Sequence, residues 1–400
     1  MNRSVPSLPA SLDDALEEEW TRWTERGLAR TPRPAWHRRG ASVITEDGPA
    51  VDFSSNDYLG LATDSRVAGA AAQAIAEEGV GATASRLIAG THREHAALEV
   101  DLASFFAAGA SVAFATGYSA NAGAISALVG PRDAVFCDAL NHASLIDGCR
   151  LSRATVHTYP HADMGVLRDL LATQRATARR ALIVTDGLFS MDGDLTPLAD
   201  IVALARTHGA WTYLDDAHAV GVLGTSGRGT AEHLGLRDAV DVTVGTLGKA
   251  FGVAGAFVYG SRALCRHLLN HARSFVFSTA PLPAQAAAAR ESLRIVAAEP
   301  IRRERLRSNA RRLRSALQRV GVAANGAPDA HVVPVLIGAT DDTVRVGAEL
   351  RARGLLVGAV RPPTVPDGTS RLRISVSAAH TDDDVDRLAS ALAELLPRSA

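Results

Sequence analysis

The stretch Val240-Asp241-Val242-Thr243-Val244-Gly245-Thr246-Leu247-Gly248-Lys249-Ala250-Phe251-Gly252 carries an apolar run of strand length into a glycine-flanked turn. That turn holds the only lysine of the 400 residues; every other one of the 42 basic residues is arginine. An amine can lose its proton near neutral pH and attack a carbonyl, which a guanidinium cannot do. A lysine surviving by drift in an arginine-favouring sequence would fall anywhere. This one falls directly after a strand signal, where parallel sheets place their chemistry. A Walker-type phosphate loop is excluded here, since it would need glycine at 243 and Ser or Thr at 250, where Thr243 and Ala250 stand.

Working outward, a second apolar run, 211–214, ends in Asp215-Asp216-Ala217-His218 and opens a glycine-rich loop over 221–229. A carboxylate at one strand end and a lysine at another are compatible with a structural ion pair. They also suit pyridoxal phosphate, with Lys249 forming the Schiff base and Asp215 keeping the pyridine nitrogen protonated so that the ring withdraws electrons. The phosphate would need free N–H groups at a helix start, and Ala115-Thr116-Gly117-Tyr118-Ser119 offers a strand, a glycine turn and a helix. Gly79-Val80-Gly81 follows a helical stretch, so it is not a dinucleotide fingerprint. His142 opens a helix after strand 134–137; it reads as a capping residue or as a ring to stack on the cofactor. His218 reads as a partner for the cofactor's ring oxygen or as a proton donor. His157, His161, His208 and His233 lack partners at useful spacing and receive no role. In Arg361-Pro362-Pro363-Thr364-Val365-Pro366, prolines stiffen either a surface turn or a loop presenting a guanidinium to a carboxylate.

Around these motifs, helical and strand signals alternate. Helices are expected over 11–29, 68–78, 92–107 and 197–208, and a hairpin from 41–45 and 51–54. Strands are expected at 112–115, 134–137, 181–185, 211–214, 240–244 and 254–259. The fold class is therefore α/β, a mostly parallel sheet with helices on both faces. Past Ser278-Thr279-Ala280-Pro281-Leu282-Pro283 the pattern changes to two long helices, 284–298 and 300–320, then strand, helix and strand, and a last helix over 382–396. Length and this shift divide the chain into an N-terminal helix and arm (1–45), a large domain (46–280) and a smaller α+β domain (281–400).

With 47% hydrophobic and 21% charged residues and a net charge of -1, the composition is that of an ordinary globular protein. The arginine-rich stretch 302–314 has leucine and alanine at helical spacing and reads as a solvated helix face; no nucleic-acid partner is expected. Cys137, Cys149 and Cys265 show neither CxxC nor metal-ligand spacing, so no metal is expected and a reducing compartment is. The first twenty residues carry Glu17-Glu18-Glu19 and no long apolar run. Neither a secretory signal nor a membrane segment is expected, and the cytoplasm is the expected location.

Taken in order, Phe53-Ser54-Ser55-Asn56-Asp57-Tyr58-Leu59-Gly60-Leu61, Ser85-Arg86-Leu87-Ile88-Ala89-Gly90, Ser190-Met191-Asp192-Gly193-Asp194, Asp215-Asp216-Ala217-His218, Thr246-Leu247-Gly248-Lys249 and Arg361-Pro362-Pro363-Thr364-Val365-Pro366 resemble the motifs of the α-oxoamine synthases. These are pyridoxal-phosphate transferases of fold type I, and the resemblance spans nearly the whole chain. It implies Lys249, Asp215, His218 and His142 as catalytic residues, and Gly117, Tyr118, Ser190 and Thr246 as further cofactor contacts. Arg30, Arg361 and Thr364 match substrate positions. It further implies a homodimer with the active site at the interface, where Ser278 or Thr279 would reach the partner's phosphate. Arg361-Pro362-Pro363-Thr364 and Ser85-Arg86-Leu87 are most similar to the branch serving biotin synthesis. That branch is an acyltransferase condensing L-alanine with a pimeloyl thioester, on coenzyme A or acyl carrier protein, with loss of carbon dioxide. Ala219 and Ala250 are more similar to the glycine-using branch. A sister acyltransferase, a generic aminotransferase and a non-catalytic partner subunit are the alternatives.

Overall fold

A computed structural model describes residues 11–32 and 34–396. Its centre is a seven-stranded sheet in the spatial order Ala110–Phe114, Ala256–Gly260, Val242–Thr246, Trp211–Asp215, Ala181–Asp186, Ala134–Asp138, Thr155–Tyr159. Ala256–Gly260 runs antiparallel to both neighbours; every other pair in this sheet is parallel. The expected α/β class stands, with one reversed strand near an edge. Ala134–Asp138 and Ala181–Asp186 are buried throughout, as the inner strands of a sheet covered on both faces must be. Period-two alternation sorts their side chains. Val135, Cys137, Leu182 and Val184 pack with Ile125, Leu145 and Leu268 of helices Gly117–Leu128, Ala143–Ser152 and Arg262–His271 on one face. Ala134, Phe136, Ala181 and Ile183 meet Leu167, Leu171 and Ile201 of helices Met164–Gln174 and Leu198–His208 on the other.

Thr155–Tyr159 was not among the expected strands. It lies at the sheet edge with only Tyr159 buried, so Thr-Val-His-Thr carries no apolar run to announce it. The first helix is Leu12–Glu25, shorter than the expected 11–29, and Ser11 caps it through the Asp14 amide. The expected hairpin is an antiparallel meander of Ala35–Arg39, Ser42–Thr45 and Gly48–Asp52. It takes a fourth, parallel strand from Leu355–Leu356, with Val51 N donating to Gly354 O and Phe53 N to Leu356 O, both at 2.8 Å.

After helix Pro283–Ala298 come helix Pro300–Arg319 and a three-stranded antiparallel sheet of Val332–Gly338, Ser370–Ser375 and Gly358–Val360. Helices Thr340–Ala352 and Asp382–Leu395 complete this part. The basic helix buries Leu306, Ala310, Leu313 and Leu317, and turns Arg302, Arg311 and Arg312 to carboxylates. Arg303 departs from the solvated-face reading. It is buried, and donates to the carbonyls of Val296 and Thr225. No described helix is long and apolar enough to cross a membrane.

One continuous core runs from Phe53, Tyr58 and Leu61, through Leu247, Ala250 and Phe251 of the lysine turn, to Leu306, Leu313, Val333 and Ile374. The lysine turn therefore sits where sheet, N-terminal segment and C-terminal region meet. Gly252 closes it at φ +66°, accepting no side chain: an added Cβ would lie 2.3 Å from the Ala62 nitrogen. Gly252→Ala should lower stability by about 2–4 kcal/mol, left-handed strain adding to a backbone clash. Urea denaturation checks this, and an unchanged midpoint would contradict the packing described.

Candidate active site

Lys249 follows strand Val242–Thr246 and feels the charges of two neighbouring strand ends, Asp215 and Asp186. Asp215 ends Trp211–Asp215 and lies opposite Asp186 on the neighbouring strand. Its Oδ2 accepts from Asn121 Nδ2 at 2.6 Å, and its Oδ1 from the Ala217 amide at 3.0 Å. Asn121 is buried and fully employed. It also donates to Ser144 Oγ at 2.9 Å and accepts from the Tyr213 hydroxyl at 2.9 Å. Two carboxyl groups side by side in a buried setting cannot both ionise freely. Burial, then the Asp215 charge, pushes Asp186 well above the usual carboxylate range, and its Oδ2 receives the His142 amide at 2.7 Å.

Lys249 Nζ lies 2.7 Å from His218 Nε2. Burial lowers the lysine to about 8, with Asp215 pulling the other way and Arg373 adding to the depression. His218 is driven well below the ordinary imidazole range by burial and then by Lys249, so its ring is neutral. Its Nδ1 is 2.6 Å from Tyr58 Oη, and Tyr58 donates onward to Asn56 Oδ1 at 3.0 Å. The tyrosine proton being committed, Nδ1–H must donate to Tyr58, and Nε2 accepts from Lys249. Asn56 Oδ1 also receives Arg373 Nη1 at 3.2 Å, and Arg373 Nε donates to Ser190 O.

His142 caps helix Ala143–Ser152, its Nδ1 taking the Ser144 amide at 3.3 Å and facing Ser144 Oγ at 2.7 Å. His142 is exposed, and its Nε2 finds no hydrogen-bond partner among the described residues. Thr246 Oγ1 donates to Gly255 O and receives the Gly248 amide, bracing both sides of the lysine turn. Thr116 caps helix Gly117–Leu128 through Ser119, while the Gly117 and Tyr118 amides find no acceptor among the described residues. A Cβ on Gly117 would meet nothing within 4 Å, so an anion can approach the backbone there. Tyr118 is half exposed and donates to Asp147 at 2.6 Å.

The Arg30, Arg361 and Thr364 positions come together as a separate cluster. Arg30 Nη2 reaches Arg361 O, Pro362 O and Thr364 Oγ1 at 3.2–3.3 Å. The Arg361 guanidinium is turned to Ala29 O at 2.9 Å and Ala359 O at 3.4 Å. The guanidinium beside the lysine is instead that of Arg373, which the motif reading did not single out; nor did it single out Tyr58, Asn121 or Asp186. Arg373 had a signal available: Arg371-Leu372-Arg373 alternates charge with apolar residues inside a buried strand. His161, given no role for lack of partners, has two carboxylates, Asp138 and Asp194, far from it in sequence. His157 stacks on Phe136. Arg86 of the Ser85-Arg86-Leu87 motif is a scaffold residue, paired in a fork with Glu99 at 3.0–3.1 Å.

An amine of lowered pKa, a carboxylate at the next strand end, an exposed histidine and two free amides at a helix start fit pyridoxal phosphate. Comparison with known proteins agrees. The family described as aminotransferase class I and II matches residues 49–392. This chain belongs to that family. Within it, the chain is 49% identical to an 8-amino-7-oxononanoate synthase of Anaeromyxobacter dehalogenans over 93% of both proteins. It is also 49% identical to one of Methylococcus capsulatus, over 90% of this chain and 92% of the other. Among solved structures, serine palmitoyltransferase of S. paucimobilis superposes with a TM-score of 0.91 at 30% identity, covering 96% of both chains. An 8-amino-7-oxononanoate synthase from Francisella tularensis superposes with a TM-score of 0.74 at 25% identity, covering 86% of this chain and 97% of the other. The resemblance to the α-oxoamine synthases and to fold type I holds.

The lowered lysine is directly testable, because no other lysine competes. Acetic anhydride labelling of the cofactor-free protein should show Lys249 reacting with a midpoint near pH 8. In Asp215→Asn the midpoint should fall further, since the lost carboxylate charge was holding it up. A midpoint near 10.5, the ordinary lysine value, would show that Lys249 is not desolvated as described.

Proposed function

We propose that this protein catalyses the decarboxylating condensation of L-alanine with a pimeloyl thioester, the 8-amino-7-oxononanoate synthase reaction of biotin synthesis. It is a pyridoxal-phosphate-dependent acyltransferase. The observation that carries the reading is the lone half-buried Lys249 amine, its pKa lowered beside Asp215 and His218, in a chain 49% identical to synthases of that name. Bound here, the cofactor supplies an electrophilic carbonyl and a sink for the electron pair left at the amino acid Cα.

Lys249 would anchor the cofactor; Asp215, positioned by Asn121, would face its ring nitrogen. His142 would cover one ring face, Thr246 would brace the anchor turn, and the Gly117 and Tyr118 amides would receive the phosphate. Arg373, already aligned by Asn56 and Ser190, is the nearest guanidinium for the alanine carboxylate. Once alanine is seated, the Lys249 amine takes the proton from its Cα, a task suited to a base near pH 8. His218, neutral and held by Tyr58, keeps Nε2 as the acceptor that orients the Lys249 amine while the acyl carbon is attacked. The new carbon–carbon bond replaces the carbon–sulfur bond. The thiol leaves, and the carboxyl group departs as carbon dioxide. Arg30, Arg361 and Thr364 would line the approach of the acyl chain, carried on coenzyme A or acyl carrier protein.

We place the working protein in the cytoplasm as a homodimer. Three free buried cysteines suit a reducing compartment. Ile88 is 82% exposed and Phe277 70%, with Leu87 and Leu282 also exposed, on segments joined by the Ser85–Thr279 bridge. Such an apolar patch suits a subunit interface, and Ser278 and Thr279 lie exposed beside it. Ile88→Asp should shift the protein toward monomer in sedimentation; an unchanged sedimentation coefficient would move the interface elsewhere.

Serine palmitoyltransferase, whose backbone superposes best among the structures named above, is the second reading. Carbon dioxide release from L-alanine, glycine or L-serine, each with pimeloyl, acetyl and palmitoyl thioesters, separates the two. L-alanine with a pimeloyl thioester should give the highest kcat/KM. Lys249→Ala should lose about 10²–10⁴-fold or more of it. A serine and palmitoyl preference would replace the proposed substrate pair.

A further inference from the structure

Outside the site, one half-buried ionic cluster is not used by the reaction above. His161 Nδ1 lies 3.1 and 3.2 Å from the two carboxylate oxygens of Asp138, and Nε2 lies 2.7 Å from Asp194 Oδ2. No group of three such side chains suited to a metal ion occurs among the described residues, so the cluster is an ion-pair bridge. Its two carboxylates sit on separate segments. Asp138 ends the strand next to the sheet edge and organises the bend that follows, accepting the Leu140 amide at 2.8 Å and the Ala162 amide at 2.9 Å. Asn141 and His142 come next, Asn141 donating to Val184 O and accepting the Asp186 amide.

Asp194 closes the turn that carries Ser190, its carbonyl receiving the Phe189 amide at 3.0 Å. The Phe189 ring meets the His161 ring edge to face, 4.4 Å between centroids. The far side of that turn is held by Arg371, paired with Asp192, and by Arg373 on Ser190 O. The turn is thus gripped from the C-terminal sheet on one side and by His161 on the other.

We infer that His161 is a positioning residue of the active site, its imidazole locking the bend that leads into His142 against the turn that carries Ser190. The inference rests on the proposed function only in taking His142 and Ser190 as cofactor contacts. The two facing carboxylates, Asp138 first and Asp194 second, raise the imidazole to about 10, so both ring N–H groups donate at neutral pH. A histidine raised above its ordinary 6.5 stabilises the fold fully below that value, and the stabilisation is lost as pH rises through about 10. Across the working range the bridge is intact. Losing the imidazole would leave two carboxylates facing each other, which pushes bend and turn apart as well as releasing them.

The test compares His161→Gln and Asp194→Asn with the unmodified protein in two measurements. Hydrogen exchange of the cofactor-free protein reads the backbone over 138–144 and 187–195. Absorbance titration with pyridoxal phosphate reads cofactor affinity. His161→Gln should speed exchange in both segments and weaken cofactor binding about tenfold or more, since small misplacements carry large penalties. Asp194→Asn should move both readouts the same way, and decides alone if the first variant does not fold. A lower melting temperature with cofactor affinity and exchange in the two segments unchanged would make His161 a stability residue only and overturn the inference. Should the unmodified protein itself not bind pyridoxal phosphate, the proposed function falls, while coupled exchange of the two segments still decides the bridge.

Discussion

Desolvation of a single ammonium group is the constraint on which the site depends. Removing Lys249 from water favours its neutral form, and the nearby Asp215 charge opposes that without cancelling it. The balance leaves an amine whose lowered pKa is about 8, close to a working pH. Every neighbouring feature protects it. The buried core of Leu247, Ala250 and Phe251 fixes the turn, and Thr246 braces it from within. His218, kept neutral by the same burial, accepts from the amine without adding a second cation.

The same logic explains why polar groups line up in two hydrogen-bonded relays. One runs from Asp215 through Asn121 and Ser144 to His142; the other runs from Lys249 through His218 and Tyr58 to Asn56 and Arg373. Each link satisfies a donor or acceptor that burial would otherwise penalise by about 1–3 kcal/mol. Each also fixes an orientation. The first fixes His142 Nδ1 on Ser144, and the second sets the His218 tautomer. Because the second relay ends on Ser370–Ser375, the C-terminal sheet is a structural part of the site.

Much of this was legible in the residues. A lysine after an apolar run, an aspartate ending another, and a glycine opening a helix each follow from short-range pattern, because a parallel sheet brings successive strand ends to one edge. Thr155–Tyr159 carries no strand signal because an edge strand needs no apolar run. Arg361 was read as facing a carboxylate because a stiff proline loop presents it, yet its guanidinium satisfies the carbonyls of Ala29 and Ala359. His161 has no partner at local spacing because its carboxylates are 23 and 33 residues away.

By itself, then, the sequence determined the elements, the α/β class and the residues able to do the chemistry, since these depend on side-chain type and local periodicity. Which groups meet was decided by the tertiary structure alone. Arg373 beside Lys249, Tyr58 on His218 and Asp186 against Asp215 come from different segments of the chain. Their juxtaposition is set by sheet register and core packing, and burial there fixes the charge state of each group.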